Sequence, residues 1–251
     1  MDKEIILETK NYIKELKIAG IRNDLNQKLA EAYRDNTPYE ELLRDLFRDA
    51  YDMRKENGRK NRIKNAKFPY KKYLDTLIVD YLPESAQAKF KELKSLKFIE
   101  ENRNIIFSGN PGTGKTHLSI GLGIKACNEG YKVFFATVPQ FINQLKETQS
   151  ERRLTNFESK FQKYDLIILD ELGYISFDQK GSELLFSFLS LRAERKSTII
   201  TSNLSFERWN EVFNDPALTA AMVDRLTHKS YVINMNGNSY RMKETEEWLG
   251  Q

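Results

Sequence analysis

The order of apolar and polar positions divides the chain into two parts. Over about the first 55 residues, apolar positions recur at three- and four-residue steps, the period of an amphipathic helix. From about residue 73 onward, short apolar runs alternate with helical patterns, which predicts parallel strands joined by right-handed crossover helices. Five strands are expected, near 105–108, 132–136, 166–170, 198–201 and 231–233. We therefore predict a helical N-terminal domain with a basic C-terminal segment over residues 1–72 and an α/β domain over residues 73–251.

Two segments carry more specific expectations. The helix that follows Pro38 has an apolar stripe formed by Leu42, Leu43, Leu46, Phe47, Ala50 and Tyr51. Such a stripe is typical of packing against neighbouring helices, which we expect here, and a ligand site is the alternative. The stretch between the second and third strands, residues 138–163, is longer than one crossover helix needs. Its basic residues fit either a helical insertion that touches nucleic acid or an amphipathic crossover with a solvated basic face.

Composition excludes several classes of protein. The chain has 251 residues, of which 40% are hydrophobic, enough for an ordinary core. No run approaches the ~18 apolar residues of a membrane span, and Met1-Asp2-Lys3-Glu4 lacks the basic start and apolar centre of a signal peptide. The single cysteine, Cys127, fits a reducing compartment. We therefore expect a cytoplasmic protein without a membrane partner.

The net charge of +4 conceals a strongly basic segment. Residues 54–72 contain nine Lys or Arg and one acid, Glu56, a local charge of +8 that leaves −4 for the rest of the chain. This segment is suited to contact the phosphates of double-stranded DNA largely independently of sequence. The candidate contacts are Arg59, Lys60, Arg62, Lys64 and Lys67. The alternative is a helix face whose charges are simply solvated.

A glycine-rich motif follows the first predicted strand. It fits G-x-x-x-x-G-K-[ST], the phosphate-binding loop of nucleotide-binding proteins, with Gly109, Asn110, Pro111, Gly112, Thr113, Gly114, Lys115 and Thr116. The glycines let backbone N–H groups point at phosphate oxygens, and the next helix directs its positive dipole end at the same anion. Lys115 is expected to contact the β- and γ-phosphates of ATP, and Thr116 to bind Mg²⁺. The alternative is a strand-to-helix turn with a solvated lysine.

Two acids end the third predicted strand. The run Leu166-Ile167-Ile168-Leu169 is typical of a strand buried on both faces, and Asp170 and Glu171 follow it. Because ligands of open α/β sheets bind at the carboxyl ends of strands, both acids are expected beside the phosphate-binding loop. Asp170 is suited to hold Mg²⁺, and Glu171 to activate the water that attacks the γ-phosphate. These residues predict an Mg²⁺-dependent ATPase; two solvated acids at a strand end are the alternative.

With both motifs placed, the chain resembles the IstB-type ATPases, helper proteins of bacterial insertion sequences in the same AAA+ branch as the DnaC helicase loader. The resemblance lies in the phosphate-binding loop and in Asp170-Glu171-Leu172-Gly173-Tyr174, Thr201-Ser202-Asn203, Asp224-Arg225-Leu226 and Ser239-Tyr240-Arg241. Leu16-Lys17-Ile18-Ala19-Gly20 and Phe68-Pro69-Tyr70 resemble the leader domain of the helper. The resemblance implies an AAA+ domain with a parallel five-stranded sheet, order 5-1-4-3-2, flanked by helices and preceded by a small all-α domain.

The resemblance also implies roles for three further residues. Asn203 would be the sensor amide that positions the lytic water, although an asparagine that closes a turn is the alternative. Arg225 would be the arginine finger that one subunit supplies to the ATP of its neighbour, although a salt bridge with Asp224 or another acid is the alternative. Arg241 would be the second sensor, which contacts the nucleotide of its own subunit.

The function implied is that of an ATP-dependent, DNA-binding homo-oligomer with ATP sites at subunit interfaces. Such a helper assembles on target DNA and recruits or stimulates a partner transposase. A DnaC-like loader of a replicative helicase is the first alternative, and an AAA+ protein remodeller without a DNA role is the second. Because all three share the ATPase residues, salt-dependent binding to mixed-sequence duplex separates the first two from the third.

Overall fold

The computed structural model describes residues 3–22 and 24–250. The chain forms two compact units, Met1–Asn61 and Arg62–Gln251. The predicted domain boundary between residues 72 and 73 stays a prediction.

The first unit is helical. Its helices are α1 (Lys3–Glu15), α2 (Ala19–Arg22), α3 (Leu25–Arg34) and α4 (Tyr39–Asn65), whose last residues continue into the second unit. Its core consists of Ile13, Ile21, Leu25, Leu46 and Ala50.

The α4 stripe packs against neighbouring helices with only part of its members. Leu46 and Ala50 are buried, whereas Leu43, Phe47 and Tyr51 are 54%, 58% and 63% exposed. The reason is that α1, α2 and α3 pack on the side of α4 that carries Leu46 and Ala50. An apolar helical period predicts that a helix is amphipathic, but it does not determine how wide a face the neighbouring helices cover.

The second unit is built on a sheet of five parallel strands in the order β2-β3-β4-β1-β5. The strands are β1 (Asn104–Ser108), β2 (Val133–Thr137), β3 (Leu166–Leu172), β4 (Ser197–Ser202) and β5 (Ser230–Asn234). This is the predicted order, 5-1-4-3-2, taken from the opposite edge, and the fold prediction is confirmed. Successive residues of β3 belong to different cores: Leu166 and Ile168 lie in one, Ile167 and Leu169 in the other. Burial on both faces explains why this strand is a continuous apolar run.

Helices cover both faces of the sheet. They are α5 (Glu84–Lys94), α6 (Lys97–Glu100), α7 (Lys115–Asn128), α8 (Val138–Ser150), α9 (Leu154–Phe161), α10 (Gln179–Arg192), α11 (Asn210–Phe213), α12 (Pro216–Thr227) and α13 (Tyr240–Leu249). The long connection between β2 and β3 therefore holds two helices, α8 and α9. Across residues 3–22 and 24–250, no helix is long and apolar enough to cross a membrane.

Residues 62–82, which we call the strap, follow α7 from its last turn to its first. Arg62 donates from Nε to the carbonyl oxygen of Cys127, at 2.7 Å. Further along, ring atoms of Phe68 lie 2.8 Å from the position that a Cβ on Gly123 would occupy, and Leu74 lies 2.6 Å from the equivalent position on Gly121. A glycine inside a helix costs roughly 0.5–1 kcal/mol relative to alanine. Here the two glycines make room for the strap.

Candidate functional site

The phosphate-binding loop has the conformation that its glycines allow. Gly109, Gly112 and Gly114 have φ angles of 152°, 80° and 92°, in the region that favours glycine. A Cβ on Gly109 would lie 2.3 Å from the carbonyl carbon of Met235, and one on Gly112 would lie 2.0 Å from Ser239 Oγ. The backbone of the loop is thus pressed against the segment after β5, and α7 begins directly after the loop at Lys115.

Lys115 folds back over the loop. Its ammonium donates to the carbonyl oxygens of Gly109, at 2.7 Å, and Asn110, at 2.6 Å. Burial lowers the pKa of Lys115 to about 8, and the charge of Asp170 opposes that shift. An ammonium held above a loop of this conformation fits a phosphate ligand.

Two threonines surround the carboxylate of Asp170. Thr116 Oγ1 lies 3.1 and 3.0 Å from its two oxygens, and Thr201 donates a hydrogen bond to Oδ1 at 2.5 Å. Burial raises the pKa of Asp170, and these hydroxyl donors oppose the shift. Because hydroxyl and carboxylate oxygens are ligands that Mg²⁺ prefers, the donor set of Thr116 and Asp170 fits the predicted metal. The sequence predicts Thr201 only as part of a motif. Its contact with Asp170 joins two strands, β3 and β4, so no local pattern indicates it.

Glu171 has an uncommon backbone conformation. Its φ angle of 67° is in the left-handed region, where residues other than glycine are rare. The Thr201 hydroxyl accepts a hydrogen bond from the backbone N–H of Glu171, at 3.0 Å. Burial and then the charge of Asp170 raise the pKa of the Glu171 carboxyl, while Arg241 lowers it. A raised pKa brings a carboxylate closer to the range in which it acts as a general base.

Asn203 directly follows β4 and has a buried acceptor. Its Oδ1 has no hydrogen-bond partner within the part of the chain that the structure describes. A Cβ on Gly173 would lie 2.5 Å from this oxygen, so the glycine after β3 lets Asn203 take its place. An unsatisfied buried polar atom is costly, and it marks a position that fits a polar ligand or water.

The loop opens into a cleft of about 580 Å³. Lys115, Asn203 and Arg241 are among the residues that line it. Its apolar side was not predicted and includes Leu77, Ile78, Leu82, Tyr81 and Tyr240. The Tyr81 and Tyr240 rings pack with centroids 5.3 Å apart. This wall fits a planar base. No local motif predicts it, because its members lie in two segments that are far apart in the sequence.

A second cleft of about 300 Å³ lies at the carboxyl ends of β2 and β3. Phe135, Thr137, Gln140 and Asp170 are among its lining residues. Four residues line both clefts: Tyr70, Thr116, Glu171 and Arg241. The sequence predicts roles at the nucleotide for three of them but not for Tyr70.

The start of α13 is tied to the phosphate-binding loop. Tyr240 donates its backbone N–H to the carbonyl oxygen of Gly112, at 3.0 Å. Ser239 caps the helix by accepting from the backbone N–H of Met242 at 3.3 Å. These contacts place Arg241, the second residue of α13, at the cleft.

Arg225 lies elsewhere. It is exposed near the end of α12, and its guanidinium lies 5.2 Å from the centroid of the Phe186 ring. It lines neither cleft, and over the described residues no salt bridge with Asp224 is formed. Its proposed role would therefore require another subunit.

The predicted DNA contacts differ in their surroundings. Arg59 and Lys60 lie 2.7 and 3.5 Å from carboxylate oxygens of Glu56. Arg62 is held by the Cys127 carbonyl, whereas Lys64 and Lys67 are exposed, Lys67 with its ammonium 5.9 Å from the centroid of the Phe134 ring.

The sheet order, the glycine loop and the acids at the end of β3 together define an ATP-binding protein of the AAA+ class. Solved structures agree with this fold. AMPPCP-bound DnaA from Aquifex aeolicus is 21% identical with a TM-score of 0.57, covering 73% of this chain and 55% of that chain. The DnaC helicase loader is 22% identical with a TM-score of 0.50, covering 72% of this chain and 98% of that chain.

Sequence relatives define the family. The model of the IstB-like ATP-binding proteins matches residues 11–247. The insertion sequence IS5376 ATP-binding protein of Geobacillus stearothermophilus is 37% identical over 209 residues, 83% of each chain. The insertion sequence IS21 ATP-binding protein of Pseudomonas aeruginosa is 34% identical over 237 residues, 94% of this chain and 89% of the relative. The chain therefore belongs to the IstB-like family of insertion-sequence ATP-binding proteins, as the resemblance predicted.

Proposed function

We propose that this protein is an Mg²⁺-dependent ATPase that assembles on double-stranded DNA and recruits or stimulates a partner transposase. The observation that carries the ATPase part is the convergence of Thr116, Asp170 and Glu171 beside the phosphate-binding loop. The names of the relatives, which are insertion-sequence proteins, support the role in transposition.

Within this proposal each residue of the site has one task. Thr116 and Asp170 would hold Mg²⁺, which neutralises charge on phosphate oxygens when bound. Glu171 accepts a proton from the attacking water, a task that its raised pKa favours. Asn203 offers its unpartnered Oδ1 to orient that water.

The proposal also requires an assembly. Since Arg225 is exposed and lines neither cleft of its own subunit, it would contact the nucleotide of a neighbour. An arginine supplied in trans makes ATP hydrolysis depend on assembly, because charge in the transition state is stabilised only at a formed interface. The ATP sites would then lie between subunits of a homo-oligomer.

A helicase-loading function is supported less well. The likeness to DnaC is at 22% identity and concerns the fold, whereas relatives with more than 30% identity over most of the chain are insertion-sequence proteins. The transposition helper is therefore the function that we favour.

The ATPase part is tested by two variants with different expected phenotypes. Lys115→Ala removes the charge over the loop and should abolish or severely weaken ATP binding in calorimetry. Glu171→Gln keeps Asp170 and the shape of the site, so ATP should bind while phosphate release slows about 10²–10⁴-fold. Lys180→Ala and Glu183→Gln, two exposed residues of α10, are matched controls. Wild-type nucleotide affinity in Lys115→Ala, or near-normal turnover in Glu171→Gln, would overturn the assignment.

The transposition part requires a transposase encoded by a neighbouring gene, and it is tested by assaying that transposase, once purified, together with this protein. Strand transfer into mixed-sequence duplex should rise when this protein and ATP are both added. Glu171→Gln should bind DNA and transposase yet turn over ATP slowly, which separates recruitment from hydrolysis. Strand transfer that is indifferent to the protein would contradict the helper function and favour the helicase-loading alternative.

A further inference from the structure

Tyr70 lines the site, although no sequence motif predicts it there. It is one of the four residues that line both clefts, with Thr116, Glu171 and Arg241. The other three have predicted roles at the metal, the lytic water and the nucleotide. Tyr70 is 48% exposed, so neither burial nor core packing accounts for its position.

Anchors on both sides of Tyr70 hold the strap in place. On the N-terminal side of Tyr70, the carbonyl oxygen of Ala66 accepts a hydrogen bond from the backbone N–H of Phe135 at 2.8 Å. This bond joins the strap to the edge strand β2. The Phe68 ring then packs against the Phe135 ring, with centroids 6.0 Å apart. After it, the Tyr73 carbonyl oxygen lies 3.1 Å from His117 Nε2 on α7. Tyr70 is therefore presented to the cleft from a segment that is fixed at both ends.

The neighbours of Tyr70 indicate which part of a nucleotide it would meet. It shares its two clefts with Thr116 and Glu171, whereas the apolar wall of Tyr81 and Tyr240 lines only the larger one. In phosphate-binding loops the residue after the lysine and the catalytic acid lie at the γ-phosphate end. Tyr70 therefore lies with that group where the two clefts meet, whereas the wall of Tyr81 and Tyr240 lines the larger cleft alone.

The chemistry of a phenol suits this position. A tyrosine hydroxyl is a neutral donor that can give a hydrogen bond to a phosphate oxygen. A hydrogen bond to a charged acceptor is stronger than one between neutral groups. Because ADP lacks the third phosphate, such a bond forms with ATP alone.

We propose that Tyr70 contacts the γ-phosphate and distinguishes ATP from ADP. This inference rests on the proposed function, since it requires that the cleft bind ATP. In this proposal the strap, which precedes the phosphate-binding loop in the chain, contacts the nucleotide directly.

The test is calorimetry of the full chain with two ligands, β,γ-methylene ATP and ADP, each with Mg²⁺. For Tyr70→Ala we expect about a tenfold loss of affinity for the ATP analogue, equivalent to about 1.4 kcal/mol, and no such loss for ADP. Tyr70→Phe keeps the ring but loses the donor, so we expect the same pattern. Tyr73→Ala is the matched control, because Tyr73 is a half-exposed tyrosine of the same strap that lines neither cleft.

The calorimetry distinguishes failure of the Tyr70 inference from failure of the proposed function. Equal losses for both ligands, or no loss for either, would overturn the inference and leave the proposed ATPase intact. Wild-type discrimination in Tyr70→Phe would overturn a hydrogen bond as its cause. A wild-type protein that binds neither ligand would instead overturn the proposed function itself, and this inference with it. Circular dichroism melting of each variant shows whether its fold is retained.

Discussion

The Arg62 side chain donates a hydrogen bond from Nε to the carbonyl oxygen of Cys127, at 2.7 Å. Cys127 lies in the last turn of α7, the helix whose first residue is Lys115 of the phosphate-binding loop. The last carbonyl groups of a helix lack partners within it and carry the negative end of the helix dipole. Arg62 therefore stabilises α7 from the end opposite to the site, in addition to any contact that it makes with DNA.

Replacement of Arg62 should destabilise the protein, whereas replacement of Lys64 should not. Arg62→Gln removes a charged donor from the carbonyl oxygen of the buried Cys127, which costs about 1–2 kcal/mol of the free energy of unfolding. Lys64 is exposed on the same helix, and Lys64→Gln should change that free energy by less than about 0.5 kcal/mol. Urea denaturation of both variants measures the difference. Equal stabilities would mean that the contact with Cys127 contributes nothing.

The role of the basic segment in DNA binding is tested best without Arg62, so that stability stays unchanged. Each phosphate that a Lys neutralises adds about −0.9 to the slope of log affinity against log salt. Replacing Lys60, Lys64 and Lys67 with Gln should flatten that slope by up to roughly 3 units and weaken binding similarly for all sequences.

The control for this measurement removes the same charge elsewhere. Lys91, Lys97 and Lys132 are exposed lysines outside the basic segment, and their triple replacement with Gln should leave the slope unchanged. Filter binding over a range of salt concentrations gives both slopes. If the two triple variants behave alike, the basic segment is a solvated face.

Subunits with different defects should complement each other. Arg225→Ala leaves the phosphate-binding loop intact, and Lys115→Ala leaves the finger intact, so a mixture forms some sites with both parts whole. Partial recovery of ATP turnover is expected over the sum of the separate variants, because in the proposed assembly Arg225 would act on the ATP of the neighbouring subunit. The measurement is phosphate release against mixing ratio, with co-assembly checked by light scattering. A co-assembled mixture that stays inactive would place Arg225 in a structural contact.

ATP affinity should fall above a pH of about 8. Burial lowers the pKa of the Lys115 ammonium to about 8 in the ligand-free protein, and a bound phosphate would raise it again. Below this pH the lysine is already charged; above it, binding must take up a proton, so affinity falls by at most about tenfold per pH unit.

Calorimetry from about pH 7.5 to about pH 9.5, in buffers with different ionisation heats, measures both the affinity and the proton uptake. Lys115→Arg, whose guanidinium stays charged over this range, should lose this pH dependence. A wild-type affinity that stays level to about pH 9.5, without proton uptake, would contradict the assignment of Lys115 to the phosphates.

The sequence by itself was enough for the fold and for the central motifs. The five strands lie within a residue or two of their predicted places, because short aliphatic runs record burial on both faces of a sheet. The phosphate-binding loop was recognisable for a similar reason: the backbone needs glycine at φ angles such as those of Gly112 and Gly114, and this requirement is local. Both the strands and the loop are therefore determined by residues that are close together in the sequence.

The tertiary structure alone decided that Tyr70 belongs to the site. Tyr70 lines the same clefts as Glu171 and Arg241, which lie 101 and 171 positions further along the chain, and no periodicity links such positions. Arg62 lies in a basic run that is typical of nucleic-acid contacts, yet it also holds the end of α7. Phe47 belongs to a helical stripe that predicts packing against neighbouring helices, yet it is 58% exposed. Local patterns state what a side chain is suited to contact, and only packing between elements determines what it does contact.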